Sequence, residues 1–212
     1  MVKEINDAPN PILEGMMSRR TVFMEGELTP KLMSDVSSRM LELQLRSHDP
    51  INLIINSGGG HVFPALALCD LMTDFMTAPV RGIVKGSYGS AATFIILHCH
   101  ERVATRYSRF LLHSGNRGGI ALPIGSATSK MAEQLVRDIK GVEDIVMEQY
   151  IERLTPTAWK KKKPSAPKQR EYVQTLLDRG DQDYDGWMSA REAIEVGLIT
   201  DIITKKLDIF QE

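Results

Sequence analysis

Arg81-Gly-Ile-Val-Lys-Gly-Ser-Tyr-Gly-Ser-Ala-Ala-Thr93 is the stretch on which the reading of this chain turns. A short apolar strand, Gly82–Val84, runs into small residues, and these lead into the apolar segment Phe94-Ile-Ile-Leu97. The pattern predicts strand, tight turn and helix. Gly89 before Ser90, with Ala91 and Ala92 after it, strips side-chain bulk from around one hydroxyl. A serine at a strand-to-helix turn is exposed, and the free N–H groups of the helix start can hold a developing oxyanion. Small residues also serve close packing of a helix on a sheet, and this stretch alone does not separate the two uses.

Two further stretches bear on the choice. Pro50-Ile-Asn-Leu-Ile-Ile-Asn-Ser-Gly-Gly-Gly-His61 reads as a buried strand ending in glycines, followed by an apolar helical pattern from Val62 to Met76. Glycines there let backbone approach a ligand with N–H groups outward. Ser108-Arg-Phe-Leu-Leu-His113 sets a histidine at the end of an apolar strand. Three strand ends, carrying glycines, Ser90 and His113, are thus candidates for one shared site.

Around these, the chain alternates strands and helices. Thr29 caps a helix with Pro30 at its first position and an apolar face through Leu32, Val36, Met40, Leu41 and Leu43. Strands at 51–55, 82–84, 102–104 and 110–113 alternate with helices at 62–76 and 92–98, which argues for a mostly parallel sheet flanked by helices. Ser126–Leu154 reads as one long amphipathic helix protruding as a handle, Glu171–Leu177 as a short helix, and 190–196 with 198–203 as a helix and a last strand. The expected organisation is a loose arm over 1–17, a head formed by 18–125 together with 180–205, a handle region over 126–179 and a tail over 206–212. Lys160–Lys163 within the handle region reads as a solvated loop, since a lysine run with one nearby aromatic, Trp159, is weak evidence for nucleic acid.

Composition narrows the classes. Lysine and arginine number 26 against 27 acidic residues, so no global field argues for a nucleic acid or membrane partner. Cys69 and Cys99 sit in apolar helical segments and read as reduced core thiols. No apolar run reaches membrane-spanning length, and the start of the chain lacks a signal-peptide layout; the expectation is a cytoplasmic protein.

Together the motifs resemble the proteolytic subunit of the Clp protease (ClpP) family, from about Arg20 to Ile203. The anchors are Ile-Asn-Ser-Gly-Gly-Gly60, Gly-Ser-Tyr-Gly-Ser-Ala-Ala92, Phe-Leu-Leu-His113 and the run Asp185-Gly-Trp-Met-Ser-Ala-Arg-Glu-Ala-Ile-Glu-Val-Gly-Leu-Ile-Thr-Asp201. The resemblance implies a crotonase-like, ClpP-type α/β fold and a serine endopeptidase. It implies Ser90 as nucleophile, His113 as general base, Asp185 as the carboxylate that orients the imidazole, and the N–H groups of Gly59 and Ala91 as oxyanion hole. It further implies polypeptide substrates, a homo-oligomer of two stacked heptameric rings, an ATP-dependent unfoldase as partner, and no metal or other cofactor. The chain departs from the family pattern in four places. Gly58 stands where the family has proline, and Ser114-Gly115 replaces Gln-Pro. The spacing from His113 to Asp185 is lengthened by the lysine-bearing segment near 155–175, and the N-terminal arm is short.

Rival readings attach to the same residues. Asp181-x-Asp183-x-Asp185-Gly186-x5-Glu192 fits an EF-hand calcium loop, although a second loop and a fitting exit helix are missing. A crotonase-type acyl-CoA enzyme, a Ser90–Lys85 dyad and a non-catalytic ring subunit are the others. The protease reading leaves Asp181 and Glu192 peripheral. It places His61 near the cleft and gives His98 and His100 structural or surface roles.

Overall fold

The computed structural model describes residues 11–114, 129–181 and 186–206. The expected loop at Asn116–Gly119, the first turn of the handle helix, Asp183, Asp185 and the tail from 207 lie outside the described residues. In chain order the elements are α1 (Pro11–Ser18), β1 (Thr21–Glu25), α2 (Pro30–Arg46), β2 (Ile51–Ser57), α3 (Val62–Asp70), β3 (Val80–Gly89), α4 (Ala92–Leu97), β4 (Glu101–Ala104), β5 (Arg109–Leu111), α5 (Ser129–Arg153), α6 (Ala166–Asp181), β6 (Met188–Ser189), α7 (Ala190–Glu195) and β7 (Asp201–Ile202). The sheet runs β1-β2-β3-β4-β7, parallel at every step.

β3 organises the sheet by changing partner along its length. Arg81–Val84 pair with β4, whereas Ser87–Gly89 pair with β5. Gly86 lies between the two halves at φ +74°, and a Cβ there would sit 2.7 Å from the Asn56 side-chain oxygen. Only glycine takes that backbone angle freely, so this residue lets the strand bend from one neighbour to the next. β5 then pairs antiparallel with the short β6. The ends of β2, β3 and β5 therefore lie side by side.

Most helices share one core with one face of the sheet. Val36, Met40 and Leu43 of α2, Leu68 of α3, Phe94 and Ile95 of α4, and Val173 and Leu177 of α6 pack in a single cluster with Leu53, Ile55 and Val84. The alternate strand residues Ile54, Ile83 and Val103 form a small second cluster with Phe23 and Ile203, as the two-residue period of strands requires. Cys69 and Cys99 are both buried free thiols, and burial pushes the Cys99 thiol up to about 12, which keeps it protonated and inert.

Several local expectations shift. Residues 11–18 form a helix with Met16 buried, where a loose arm is expected. α3 ends at Asp70 and continues as a π-helical turn, Leu71–Phe75, before Pro79. β3 spans ten residues, longer than its apolar run, because the small polar residues of its second half still find ladder partners. α6 is likewise longer than its apolar core. Thr29 caps α2 as predicted, its Oγ1 accepting from the Leu32 N–H at 3.2 Å, but Leu41 turns to solvent beside the buried Met40 and Leu43. α5 buries Val146, Met147 and Tyr150 but leaves Met131 and Val136 exposed on its outer half.

Gly82 marks a tight contact between sheet and helix: a Cβ there would overlap Ile96 Cδ1 and stand 2.8 Å from Cys99 Sγ. Gly82→Ala is expected to destabilise the fold by about 1–3 kcal/mol through overpacking, read as a lower melting temperature with an unchanged far-ultraviolet spectrum.

Candidate active site

Ser90 stands between β3 and α4 at φ +54°, a left-handed backbone rarely adopted by non-glycine residues. Its N–H donates to the Leu111 carbonyl at 3.0 Å, so the elbow is tied to the last residue of β5. From the other side the glycine turn closes in. A Cβ at Gly59 would meet Ser90 Cβ and stand 3.0 Å from Ser90 Oγ. A Cβ at Gly60 would strike the Leu28 backbone, whose N–H donates to the Gly59 carbonyl at 2.9 Å. Gly89 has Leu111 Cβ at 3.1 Å from the place of its missing Cβ. The glycines around the serine are thus demanded by the close approach of Ser90, Leu28 and Leu111 to their backbone.

The proposed oxyanion donors differ in state. The Ala91 N–H has no hydrogen-bond partner among the described residues. The Gly59 N–H donates to Ser57 Oγ at 3.1 Å. Ser57 is itself buried at the end of β2. Behind the elbow, the Ser90 carbonyl accepts from Thr93 Oγ1 at 2.6 Å, and Thr93 Oγ1 lies 2.6 Å from the Tyr150 hydroxyl of α5. Burial holds the Tyr150 and Tyr88 phenols far above their ordinary pKa, so both are neutral hydrogen-bonding groups. The long helix therefore reaches the serine turn through one buried hydroxyl chain. Sequence reading missed this link, because Tyr150 presents itself only as one more residue on an apolar stripe.

His113 lies two residues beyond the end of β5, with its side chain 10% exposed. Asp181, the last residue of α6, faces it: Oδ1 stands 3.7 Å from His113 Nδ1. Both oxygens of the same carboxylate lie 3.3 Å from the Ser114 N–H. Asp181 thus departs from its expected peripheral place. Gly180 was the available signal, since its missing side chain is what lets α6 touch the backbone of Leu112 and His113.

The other candidates fall elsewhere. Lys85 forms an ion pair with Glu25 and lies 5.6 Å from the centre of the Phe23 ring. His98 Nδ1 is 2.8 Å from the Phe94 carbonyl, and burial lowers its pKa. His100 Nδ1 accepts from the Val80 N–H at 3.2 Å. His61 is exposed at the start of α3, beside the glycine turn. Glu192, the last ligand of the calcium pattern, is engaged in a capping box with Ser189 and pairs with Arg179 at 3.2 Å. Lys160–Lys163 are exposed, beside a Trp159–Tyr172 contact with ring centres 5.3 Å apart.

A branched parallel sheet with a serine elbow at the branch and a long helix docked behind it is the ClpP-type, crotonase-like α/β fold. A solved structure, that of a point mutant of ClpP1 from Listeria monocytogenes, superposes with a TM-score of 0.69 at 23% identity, over 94% of this chain and 99% of that one. The family model for Clp protease matches residues 6–206, and the chain belongs to the Clp protease family. Among its relatives, ATP-dependent Clp protease proteolytic subunit 1 of Chlamydia caviae is 30% identical over 94% of this chain and 95% of its own length. The proteolytic subunit 2 of Gluconobacter oxydans is 31% identical over 93% of this chain and 80% of its own length.

The capping box yields a pH prediction. Hydrogen bonds from the Ser189 backbone and hydroxyl lower the Glu192 pKa, so its contribution to stability is complete above the unfolded-state carboxyl pKa and is lost as pH falls through the folded one. Ser189→Ala and Glu192→Gln are each expected to cost about 1 kcal/mol near neutral pH. The Glu192→Gln difference should shrink as pH falls below the unfolded-state carboxyl pKa and through the lowered folded one, where the native carboxyl also becomes protonated. Paired thermal melts across pH check this. The same melts with added calcium test the EF-hand reading, which requires a saturable rise that Glu192→Gln abolishes.

Proposed function

We propose that this protein is a serine endopeptidase of the Clp type, hydrolysing peptide bonds of unfolded polypeptides through Ser90, His113 and Asp185. The observation that carries the reading is the left-handed Ser90 with Gly59 packed directly against it. That geometry presents a hydroxyl beside backbone donors, which acyl transfer needs and simple helix-on-sheet packing does not. Membership of the Clp protease family supports it.

In this reading Ser90 Oγ attacks the scissile carbonyl carbon while His113 takes the hydroxyl proton. The carbonyl oxygen becomes an oxyanion facing the N–H groups of Ala91 and Gly59, and Ser57 Oγ gives up the Gly59 N–H as it does so. Collapse of the tetrahedral intermediate breaks the C–N bond, and His113 returns the proton to the leaving amine. Water, deprotonated by the same histidine, then hydrolyses the acyl-enzyme. Asp185 holds the imidazole tautomer.

Assembly is part of the proposal. The exposed Met131 and Val136 on the outer half of α5 are suited to burial between copies. The proposed particle is two stacked heptameric rings enclosing a chamber and fed by an ATP-dependent unfoldase. The proposed setting is the cytoplasm; no helix among the described residues is long and apolar enough to cross a membrane.

A fluorophosphonate probe is expected to label Ser90, as located by mass spectrometry, and Ser90→Ala to abolish cleavage of fluorogenic peptides. Asp185→Asn should lower kcat by roughly 10⁴ with the fold intact. Labelling of another serine would overturn the assignment. Absence of labelling in the assembled particle would favour a non-catalytic ring subunit. Light scattering should report a large oligomer at micromolar concentration, and a stable monomer there would remove the chamber from the proposal.

A further inference from the structure

We infer that Asp181 is a positioning residue for His113, a second carboxylate that holds the end of β5 and favours the charged imidazole. The inference rests on His113 being the general base.

Three independent features converge on it. The first is the double contact: one carboxylate faces His113 Nδ1 at 3.7 Å and accepts from the next backbone N–H, that of Ser114, through both oxygens at 3.3 Å. A single side chain thus constrains the histidine's backbone and meets its ring. The second is how tightly α6 is docked. A Cβ at Gly180 would overlap the Leu112 carbonyl and lie 3.3 Å from His113 Cα, and a Cβ at Gly186 would lie 2.7 Å from Gly180 Cα. Gly186 is therefore held against the backbone of Arg179 and Gly180, and Gly180 against that of Leu112 and His113. The position of Asp181 follows from that packing, not from a freely placed surface side chain.

The third is helix energetics. Asp181 closes a 16-residue helix at its C-terminus, where exposed carbonyls carry the negative end of the dipole and a carboxylate is disfavoured. Helix formation therefore gives no reason for an acidic residue there. A histidine that becomes positive during the reaction does, since the helix end and the carboxylate both favour the imidazolium formed as Ser90 loses its proton. Asp181 also acts electrostatically on the Tyr150 phenol of α5, which burial keeps neutral, so the charge it offers is not cancelled from that side. Asp185 belongs to the same short segment and keeps its separate proposed role of fixing the tautomer.

Asp181→Asn removes the charge while leaving an oxygen that accepts from the Ser114 N–H; Asp181→Ala removes both. In the assembled wild-type particle, fluorophosphonate labelling of Ser90 comes first. Absence of labelling overturns the triad reading and this inference with it. With Ser90 labelled, Asp181→Asn is expected to lower kcat roughly tenfold, the equivalent of about one pK unit of lost imidazolium stabilisation, with KM and melting temperature near wild type. The acid limb of its kcat/KM profile should move to lower pH, because the imidazole gives up its proton more readily. Asp181→Ala should lose more activity and also melt earlier. An Asp181→Asn protein with wild-type kcat and an unmoved acid limb, alongside a severely impaired Asp185→Asn, overturns the inference and leaves the triad standing. The reverse pattern, Asp181→Asn severe and Asp185→Asn mild, overturns the division of roles by making Asp181 the triad carboxylate itself.

Discussion

The contact between Gly59 and Ser90 is the constraint on which the rest of the site depends. Two chain turns meet there with no side chain between them, because the end of β2 and the end of β3 are neighbours in one sheet and each must reverse into a helix. Any Cβ at position 59 would occupy space already taken by the serine. The serine in turn is pressed into a left-handed backbone that costs of order 1–3 kcal/mol and persists only because its surroundings leave no alternative. Leu111 in front and Thr93 behind supply the hydrogen bonds that hold it.

The same economy of side chains recurs wherever an element approaches the site. Gly60 passes the Leu28 backbone, Gly89 passes Leu111, and Gly180 touches Leu112. Bending β3 at Gly86 is what brings β5 alongside its second half, and His113 follows two residues after β5 ends. The candidate site is thus assembled by close backbone approach, and few side chains remain once bulk has been excluded. Tyr150 and Thr93 extend this arrangement to α5, so the long helix is joined to the serine turn by a buried hydrogen-bonded path.

Much of the architecture could be read from residue order. The β-branched and aliphatic run Ile51–Ile55, the glycines after it and the apolar pattern beyond them specify strand, turn and helix locally. Thr29 with Pro30, and Ser189 with Glu192, are caps whose partners lie within three residues. Ser90 was legible because the smallness of its neighbours is itself a sequence property. The helical arm at 11–18 was not, since only packing of Met16 into the core distinguishes it from an irregular polar segment.

What the sequence by itself determined, then, is the set of local decisions: which segments are strands, where glycine is required, which serine is unobstructed and which family the motifs belong to. Tertiary structure alone decided the pairing of distant groups. Asp181 is 68 positions from His113 in the numbering, and nothing in its local pattern separates it from Asp183 or Asp185. It faces the imidazole because Gly180 docks the end of α6 onto the Leu112–His113 backbone just after β5. Tyr150 meets Thr93 for the same kind of reason, a helix laid across a sheet bringing together residues 57 positions apart. Local propensity acts over a few residues, whereas these contacts exist only after the chain has closed on itself. For that reason the residues surrounding the histidine were the part of the site that order alone could not reveal.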